Sequence, residues 1–399
     1  MEIVYVSNVK INPLITEFAS LSIEEIKRYS RHVLLPEIGL ENQKRISNSK
    51  ILVIGAGGLG SPILLYLAAS GVKELGICDF DVVDETNLQR QILFNDQSVG
   101  KDKAKEAKAK VNELNPNVKV TVFNEMITSK NAENIVKDFD LIIDGSDNFA
   151  TRYLLNDVCV LLDKPYIWAS IYRFDGQVSV FWKKHGPCYR CLHPEPPPTN
   201  MVQTCASGGV LASMCATIAS LQVTQALQLI TGVGEVLIGE VLSYSALDAN
   251  FRKVKVNKDP DCVVCGKNPS ITTLIDYEQF CGPVKPRKDP GIKALELKEM
   301  LDKRSKNELD FLLVDIREEP EKKLVEIDGS VFINKDDIFA SNGLSLISKD
   351  KPVVLYCRSG NRSTEVMNYL KHNGFLEVSH LEGGIISWVQ QVETDKASY

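Results

Sequence analysis

One stretch sets the architecture of this chain: Ile51-Leu52-Val53-Ile54-Gly55-Ala56-Gly57-Gly58-Leu59-Gly60-Ser61-Pro62. Its first four residues form an unbroken apolar run, which is typical of a strand buried on both faces in a parallel sheet. The glycines allow a sharp turn and a close approach to a phosphate, and Pro62 is tolerated in the first turn of a helix. Because a glycine turn at a helix N-terminus can bind an anion, the stretch predicts a nucleotide site. The Gly-x-Gly-x-x-Gly spacing alone does not identify the nucleotide, and a dinucleotide-binding dehydrogenase is its first interpretation.

Composition limits the possible classes of protein. The chain has 399 residues, 44% hydrophobic and 25% charged, which favours two or three domains with buried cores. A net charge of −6 argues against nucleic acid as a partner. We expect no membrane span and no secretory signal, because neither an apolar run of about 18 residues nor a basic segment with an apolar core is present. Ten cysteines are present, and four of them form two Cys-x-x-Cys pairs. Without a signal, these pairs indicate metal binding, not disulfides, and a reducing compartment.

A helix is predicted before the first strand. Ser22-Ile23-Glu24-Glu25 has capping-box spacing and should open a helix that runs to about His32. Arg28 and Arg31 lie three residues apart and would share one face of it. A solvated basic face is the ordinary explanation for such a pair. Residues 1–20 carry no clear pattern and are treated as an N-terminal extension.

A second strand, Leu75 to Asp81, follows a helix that should stop at Gly71. Asp79 lies about 20 residues beyond the glycine loop, where an acidic side chain can bind a ribose hydroxyl. The alternative is a turn residue at the strand end. Up to this point both NAD and ATP fit.

The next segment favours a triphosphate. Arg90 can bind phosphate oxygens in a fork and Lys103 can act as a point charge, which a triphosphate under attack needs and a dinucleotide does not. The other lysines nearby are expected on a solvated helix face. A third strand, residues 140–144, precedes Asp147, a position suited to hold Mg²⁺ through one carboxylate and substrate phosphates. Asp147 could also cap a helix that starts near Ala150.

These motifs, in this order, resemble the ThiF/MoeB adenylyltransferases of the ubiquitin-activating superfamily over about residues 20–270. The resemblance implies an α/β fold with a Rossmann-like, doubly wound mixed sheet, and ATP as the nucleotide. It implies a homodimer in which Arg31 reaches the ATP of the partner subunit. The ATP-binding residues that it implies are Gly55, Gly57, Gly58, Gly60, Asp79, Asn87, Arg90, Gln91, Lys103, Asp147 and Asn148.

Four cysteines form two Cys-x-x-Cys pairs, Cys188 with Cys191 and Cys262 with Cys265. Four thiolates suit a tetrahedral structural zinc. The pairs are about 70 residues apart, longer than a zinc ribbon allows, so the spacing leaves a redox pair or unrelated thiols open. The family resemblance implies zinc at all four positions.

A fifth cysteine, Cys205, follows the proline-rich residues 194–198 and precedes a long apolar helix predicted from about Val210 to Ile230. The helix dipole would favour its thiolate, although a small buried residue is an equal alternative. The resemblance implies a covalent link between this cysteine and a carrier protein. Adenylation of a carboxylate needs no thiol.

A second domain is predicted over residues 292–395, after a proline- and charge-rich linker at 271–291. A helix over 295–303 and buried strands at 311–315 and 352–356 precede a short loop that starts at Cys357. A strand, a cysteine, a glycine-containing loop and a helix place backbone N–H groups around one sulfur, which stabilises a thiolate or persulfide.

This part of the chain resembles a small α/β rhodanese domain, with support from Asp315-Ile316-Arg317 and the Gly383-Gly384 region. The family's usual histidine-containing stretch is replaced by Ile327-Asp328-Gly329-Ser330. The resemblance implies a persulfide loop made of Cys357, Arg358, Ser359, Gly360, Asn361 and Arg362.

The two resemblances together imply an enzyme that uses ATP and Mg²⁺, with a structural Zn²⁺. It would adenylate the C-terminal glycine carboxylate of a small ubiquitin-fold sulfur carrier, and the rhodanese domain would supply persulfide sulfur to make a thiocarboxylate. A cysteine desulfurase or thiosulfate would donate the sulfur. The residues expected to carry the chemistry are Arg31, Arg90, Lys103, Asp147, Cys205 and Cys357.

Several alternatives stay open at this stage. A molybdopterin-type (MoaD-like) carrier is favoured, and a thiamine-pathway or tRNA-thiolation carrier would undergo the same chemistry. The nucleotide domain could instead only dock the carrier for a sulfurtransferase. The compartment would be the cytoplasm, or the plastid stroma if the chain is encoded in the organelle.

Overall fold

The computed structural model describes residues 11–197, 209–281, 291–340 and 343–396. The chain forms two compact units, an N-terminal unit, Met1–Gly282, and a C-terminal unit, Pro283–Tyr399. None of the helices in the described parts is long and apolar enough to span a bilayer.

An eight-stranded sheet forms the centre of the N-terminal unit, with the order β3-β2-β1-β4-β5-β6-β7-β8. The first five strands in sequence are parallel, and β6, β7 and β8 extend the sheet in antiparallel fashion. The strands are β1 Lys50–Ile54, β2 Glu74–Cys78, β3 Lys119–Phe123, β4 Leu141–Asp144, β5 Tyr166–Tyr172, β6 Asp175–Phe181, β7 Glu240–Ser245 and β8 Asn250–Lys255.

The helices of this unit are α1 Ile23–Arg28, α2 Ser30–Val33, α3 Gly39–Ile46, α4 Gly60–Ser70, α5 Lys103–Leu114, α6 Ala132–Val136, α7 Phe149–Leu161, α8 Tyr189–Leu192, α9 Ala212–Thr231 and α10 Tyr277–Cys281. Side chains of α4, α5 and α9 share one core with Ile51 and Val53. Side chains of α6 and α7 share a second core with Leu52 and Ile54. Because alternate residues of β1 enter opposite cores, the predicted doubly wound mixed sheet is confirmed.

The N-terminal helix differs from its prediction. The capping box at Ser22 is present, but the helix ends at Arg28 and a separate short helix begins at Ser30. Tyr29, with φ −94° and ψ 12°, interrupts the helix because its ring is buried against Gly71 and its hydroxyl accepts a hydrogen bond from Asn115. A single helix to His32 was therefore wrong, and Arg28 and Arg31 do not share one continuous helical face.

The strands β5 and β6 follow one another directly in the chain. They pair as a hairpin from Tyr166 opposite Phe181 to Tyr172 opposite Asp175. β5 is also parallel to β4, so it joins the parallel part of the sheet to the antiparallel part.

The C-terminal unit has a four-stranded parallel sheet of order β10-β9-β11-β12. The strands are β9 Leu312–Asp315, β10 Val331–Phe332, β11 Val353–Tyr356 and β12 Val378–His380. The helices are α11 Ala294–Ser305, α12 Glu319–Leu324, α13 Lys335–Phe339, α14 Asn361–His372 and α15 Gly384–Gln391. Two cores, one on each face, match the small α/β domain expected here.

The segment 271–281, expected as the start of the linker, belongs to the N-terminal unit. Its helix α10 buries Tyr277, whose hydroxyl donates a 2.8 Å hydrogen bond to Asp157. Burial of this tyrosine fixes the segment against α7. The remaining linker residues up to 290 lie outside the described residues.

Gly60 provides a test of this packing. A Cβ at Gly60 would overlap the carbonyl oxygen of Gly55, whereas a Cβ at Gly57 would meet its nearest neighbour at an ordinary 3.6 Å. We expect Gly60→Ala to lower the unfolding free energy of the N-terminal unit by about 1–3 kcal/mol, the typical cost of overpacking. Urea unfolding followed by tryptophan fluorescence measures this change. Gly57→Ala is the control, and equal stability of the two variants would contradict the close approach.

Candidate functional site

A cleft opens at the carboxyl ends of β1, β2 and β4, where a doubly wound sheet binds ligands. Most of the predicted nucleotide-binding residues line it: Gly55, Gly57, Gly58, Asp79, Arg90, Gln91, Lys103, Asp147 and Asn148. Gly60 is buried beneath the loop, where it allows helix and strand to approach. Asn87 does not line the cleft, and its side-chain oxygen accepts a 3.2 Å hydrogen bond from the Asp84 backbone.

The Asp79 carboxylate holds the glycine loop against the end of β2. One oxygen accepts a 2.7 Å hydrogen bond from the backbone of Ala56, and the other accepts a 2.9 Å bond from the backbone of Asp81. Burial raises the pKa of Asp79, and these two hydrogen bonds oppose that shift. The carboxylate is thereby fixed at the cleft wall.

Two cationic side chains, Arg90 and Lys103, line the cleft. The Lys103 side chain is largely buried, and its Nζ lies 3.0 Å from the Asp81 carboxylate. Arg90 donates a 3.1 Å hydrogen bond to the backbone oxygen of Thr86, which holds its guanidinium beside the glycine loop. Positive charge is therefore available where a polyphosphate would lie.

The structure after β4 distinguishes between the two predicted roles of Asp147, a magnesium ligand and a helix cap. Asn148, not Asp147, caps α7, because its side-chain oxygen accepts a 2.9 Å hydrogen bond from the Thr151 backbone. The helix begins at Phe149. Asp147 is exposed at the cleft, so its carboxylate is available for other ligands.

Arg31 is exposed on α2 and is not among the residues that line the cleft of its own chain. Cys205 lies outside the described residues.

Sequence reasoning missed Arg152, which lines the cleft although it is 6% exposed. Its position one helical turn after Asn148 was a signal for the same site. Burial of a charged side chain cannot be read from that spacing.

The four cysteines of the two Cys-x-x-Cys pairs come together. Their sulfur atoms all lie within 4.8 Å of one another, and three of the pairs are 3.4, 3.6 and 3.9 Å apart. A tetrahedral zinc with Zn–S bonds of about 2.3 Å requires sulfur separations of about 3.8 Å. The donor set and its geometry therefore fit zinc.

The cysteine cluster is tied to α7 by a buried ion pair. Arg190, between Cys188 and Cys191, donates 2.8 and 2.9 Å hydrogen bonds to both oxygens of Asp157 on α7. Its guanidinium lies over the Tyr153 and Phe280 rings. This ion pair connects the cysteine cluster to α7, the helix that Asn148 caps and that contains Arg152.

In the C-terminal unit, Cys357 follows β11 and is fully buried. Its sulfur accepts hydrogen bonds from the backbone N–H groups of Gly360 at 3.2 Å and Ser363 at 3.4 Å. Gly360 has φ +95°, which favours glycine, and a Cβ at Gly384 would overlap the carbonyl oxygen of Cys357. The loop therefore forms the predicted N–H cradle around one sulfur.

Of the remaining predicted loop residues, Arg358 and Ser359 follow Cys357 directly, and Asn361 and Arg362 are in the first turn of α14. Arg362 donates 2.6 and 2.7 Å hydrogen bonds to both oxygens of Glu321, which sequence reasoning did not identify. Burial would raise the pKa of Glu321, but hydrogen bonds from Arg362 and the Glu318 backbone lower it overall. The sequence pattern Asp315-x-Arg317 forms a buried bidentate ion pair.

Comparisons with known proteins agree with this arrangement. The ThiF family model matches residues 29–264, and the rhodanese-like domain model matches residues 293–391. "Probable adenylyltransferase/sulfurtransferase MoeZ" of Mycobacterium tuberculosis is 46% identical over 97% of this chain and 98% of its own length. "Adenylyltransferase and sulfurtransferase MOCS3" of Drosophila ananassae is 37% identical over 94% of this chain and 85% of its own length.

Among solved structures, E. coli MccB with ATP superposes with a TM-score of 0.52 and 23% identity. The match covers 60% of this chain and 74% of that chain, and it supports the fold alone.

The cysteine cluster predicts a metal content. We expect the purified chain to hold one zinc ion per chain by elemental analysis, and Cys262→Ser to lose it and destabilise the N-terminal unit, because structural zinc contributes folding free energy. Cys281→Ser, which changes a cysteine outside the cluster, is the control. If Cys262→Ser, which breaks the set of four thiolate ligands, is as stable as wild type, the cluster does not bind a structural metal.

The pair between Arg362 and Glu321 predicts a pH dependence. A carboxyl whose pKa is lowered on folding stabilises the fold above its unfolded pKa of about 4.3, and this contribution is lost as the pH falls through the lowered value. We expect Glu321→Gln to lower the unfolding free energy of the C-terminal unit at pH 7 by about 1–3 kcal/mol, with the difference shrinking below about pH 4. Denaturant unfolding at several pH values measures it.

Glu319→Gln, which removes an exposed carboxylate from the same helix, should leave stability unchanged at both pH values. An equal loss in the two variants would show that the Glu321 ion pair has no special role.

Proposed function

This chain belongs to the ThiF family and carries a C-terminal rhodanese-like domain, and we propose that it adenylates a small ubiquitin-fold sulfur carrier and then delivers sulfur to it. Its relatives are named adenylyltransferases and sulfurtransferases over nearly their whole length. The observation that carries the proposal is one chain with both a nucleotide cleft and a cysteine cradled by backbone N–H groups. The family resemblance inferred from the sequence is thereby confirmed.

In the first reaction, ATP would lie over the glycine loop with its ribose near Asp79. A carboxylate oxygen of the carrier's C-terminal glycine attacks the α-phosphorus, the bond from that phosphorus to the bridging oxygen breaks, and pyrophosphate leaves. Arg90 and Lys103 would stabilise the charge that develops on the phosphates. Because the chemistry needs no enzyme nucleophile, most of the rate would come from positioning and electrostatics.

Mg²⁺ would be held by Asp147 together with the phosphates of ATP. Its exposed carboxylate at the cleft fits a cation that usually takes one or two protein carboxylates and several waters or phosphates. The ion would supply charge neutralisation of the leaving pyrophosphate.

We also propose a homodimer in which Arg31 contacts the nucleotide of the partner subunit. Its support is that Arg31 is exposed and does not line the cleft of its own chain. Gln91 and Asn148 would contribute polar contacts around the nucleotide, with Asn148 also capping α7. A nucleotide contact from Asn87, which does not line the cleft, stays a prediction.

In the second reaction, a persulfide on Cys357 would attack the acyl carbon of the adenylate with its outer sulfur, and AMP leaves. A thiol reductant then cleaves the S–S bond, which releases the carrier thiocarboxylate. The backbone N–H groups of Gly360 and Ser363 favour an anionic sulfur at this position. A covalent link of Cys205 to the carrier stays a prediction.

The carrier proposed is of the MoaD-like, molybdopterin type, with a cysteine desulfurase or thiosulfate as the sulfur donor. A thiamine-type or tRNA-thiolation carrier is the alternative substrate of the same chemistry. The proposed compartment is a bacterial cytoplasm or a plastid stroma. Because both activities lie on one chain, the activated acyl group and the sulfur donor would meet at a high effective concentration.

Carrier-dependent ATP–pyrophosphate exchange tests the first reaction. We expect exchange with a molybdopterin-type carrier, and a loss of about 100-fold or more in Asp147→Ala and Lys103→Ala, because charge stabilisation of this kind is worth several kcal/mol. Lys108→Ala, which removes an exposed lysine of the same helix α5, is the matched control and should exchange normally.

Cys357→Ser should keep exchange and lose sulfur transfer, which separates the two units by function. Sulfur transfer without exchange for any of the three carrier types would instead favour a sulfurtransferase whose nucleotide unit only docks the carrier.

A further inference from the structure

A buried arginine without an ion pair lies at the nucleotide cleft. Arg152 is on α7, and only 6% of its surface is exposed. Its Nε has no hydrogen-bond partner, and its guanidinium has no carboxylate within 4.0 Å among the described residues. Arginine is almost never fully buried unless it is paired. The positive charge of this buried guanidinium is therefore not balanced by a carboxylate of the described residues, and a bound anion could balance it.

The buried carboxylate of Asp144 interacts with Arg152 but does not form an ion pair with it. Asp144 attracts Arg152 electrostatically, but its carboxylate accepts hydrogen bonds from the hydroxyl groups of Ser146 and Tyr166, both at 2.6 Å, and from the Ser146 backbone. His193 cannot serve as an anion, and burial together with the Arg152 charge lowers its pKa. The Arg152 guanidinium is placed over the Phe149 ring, 5.1 Å from its centre.

The position of Arg152 separates it from the expected site of the nucleotide. In the sheet order β2-β1-β4-β5, Asp79 follows β2, the glycine loop follows β1 and Asp147 follows β4. Arg152 lines the cleft together with Ile171 of β5, and its helix α7 contacts β4 and β5, which β1 separates from β2 and Asp79. A nucleotide that extends from Asp79 to Asp147 leaves this side for the second reactant.

We propose that Arg152 binds the carboxylate of the acyl substrate and holds it for attack on the α-phosphorus of ATP. This inference rests on the proposed adenylation and goes beyond it by assigning the residue that recognises the reacting group. A guanidinium binds a carboxylate through two parallel hydrogen bonds, which fixes the direction of both oxygens. Burial strengthens this interaction because water does not screen it.

The chemistry predicts which kinetic constant changes. The carboxylate carries its full charge before attack and loses it as the bond to phosphorus forms. Arg152 therefore binds the ground state at least as strongly as the transition state, and such an interaction lowers KM without raising kcat. Its loss should raise the KM for the carrier and change kcat little.

The test compares Arg152→Gln with wild type in ATP–pyrophosphate exchange, using a molybdopterin-type carrier that ends in Gly-Gly. We expect the KM for the carrier to rise about 10- to 100-fold, the usual cost of hydrogen bonds to a charged group, and the Kd for ATP measured without carrier to stay unchanged. Lys137→Gln, the same charge change at an exposed position, should alter neither. Thermal stability should not fall, because the variant removes a buried charge that has no ion pair.

A second comparison does not depend on the folding of any variant. Wild type should bind the carrier with a free C-terminal carboxylate at least about tenfold more tightly than the same carrier as a C-terminal amide, and Arg152→Gln should not discriminate between them. Equal binding of acid and amide by wild type overturns the inference. So does a rise in the Kd for ATP with an unchanged carrier KM, which would assign Arg152 to the triphosphate.

The outcomes also separate this inference from the proposed function. No exchange by wild type with any carrier would remove the function itself. Normal exchange by wild type with an unchanged carrier KM in Arg152→Gln would remove only the role of Arg152.

Discussion

The close approach of the α4 N-terminus to β1 is the constraint on which the nucleotide cleft depends. Gly60 lies against the carbonyl of Gly55, and there is no room for a side chain between them. The glycine loop can then turn beside Asp79, whose carboxylate binds the backbone of Ala56. A polyphosphate would meet backbone N–H groups at a helix N-terminus with Arg90 and Lys103 nearby, and this is the electrostatic basis of the proposed adenylation.

A comparable arrangement recurs in the C-terminal unit with sulfur in place of phosphate. A buried strand ends at Cys357, and the N-terminal turn of α14 supplies N–H groups to a single sulfur. Gly384 leaves space for the loop backbone, and the Arg362–Glu321 pair holds the start of α14. In both units the chemistry lies where a parallel strand meets a helix N-terminus.

Much of this could be predicted from the sequence. The run Ile51–Ile54 and the glycines after it predicted a buried parallel strand and a nucleotide site, because such strands and glycine turns have local signatures. The doubly wound mixed sheet was implied by the family resemblance. The cysteine spacing suggested a cluster, although only the fold could show that residues about 70 apart meet. Local patterns could not reveal that Tyr29 interrupts a helix, since its burial against Gly71 is a tertiary contact.

At the nucleotide cleft, the roles of Asn148 and Arg152 could not be predicted from local sequence patterns either. Asn148 and Asp147 are equally good helix caps by residue type, and only the backbone geometry assigns the cap to Asn148. Arg152 resembled an ordinary helix arginine until its burial and lack of an ion pair among the described residues were known. Its helix is also held by Asp157 to the cysteine cluster, so metal binding and carboxylate binding would act on one element.

The most direct test of the central claim follows one carrier molecule through both reactions. Intact-protein mass spectrometry of the carrier, after incubation with the full chain, ATP, Mg²⁺ and a persulfide donor, should show one oxygen replaced by one sulfur. With Cys357→Ser the same mixture should show the carrier adenylate and no thiocarboxylate. Thiocarboxylate formed without ATP, or by the Cys357→Ser variant, would contradict the account, because sulfur would then reach the carrier without adenylation or without the persulfide loop.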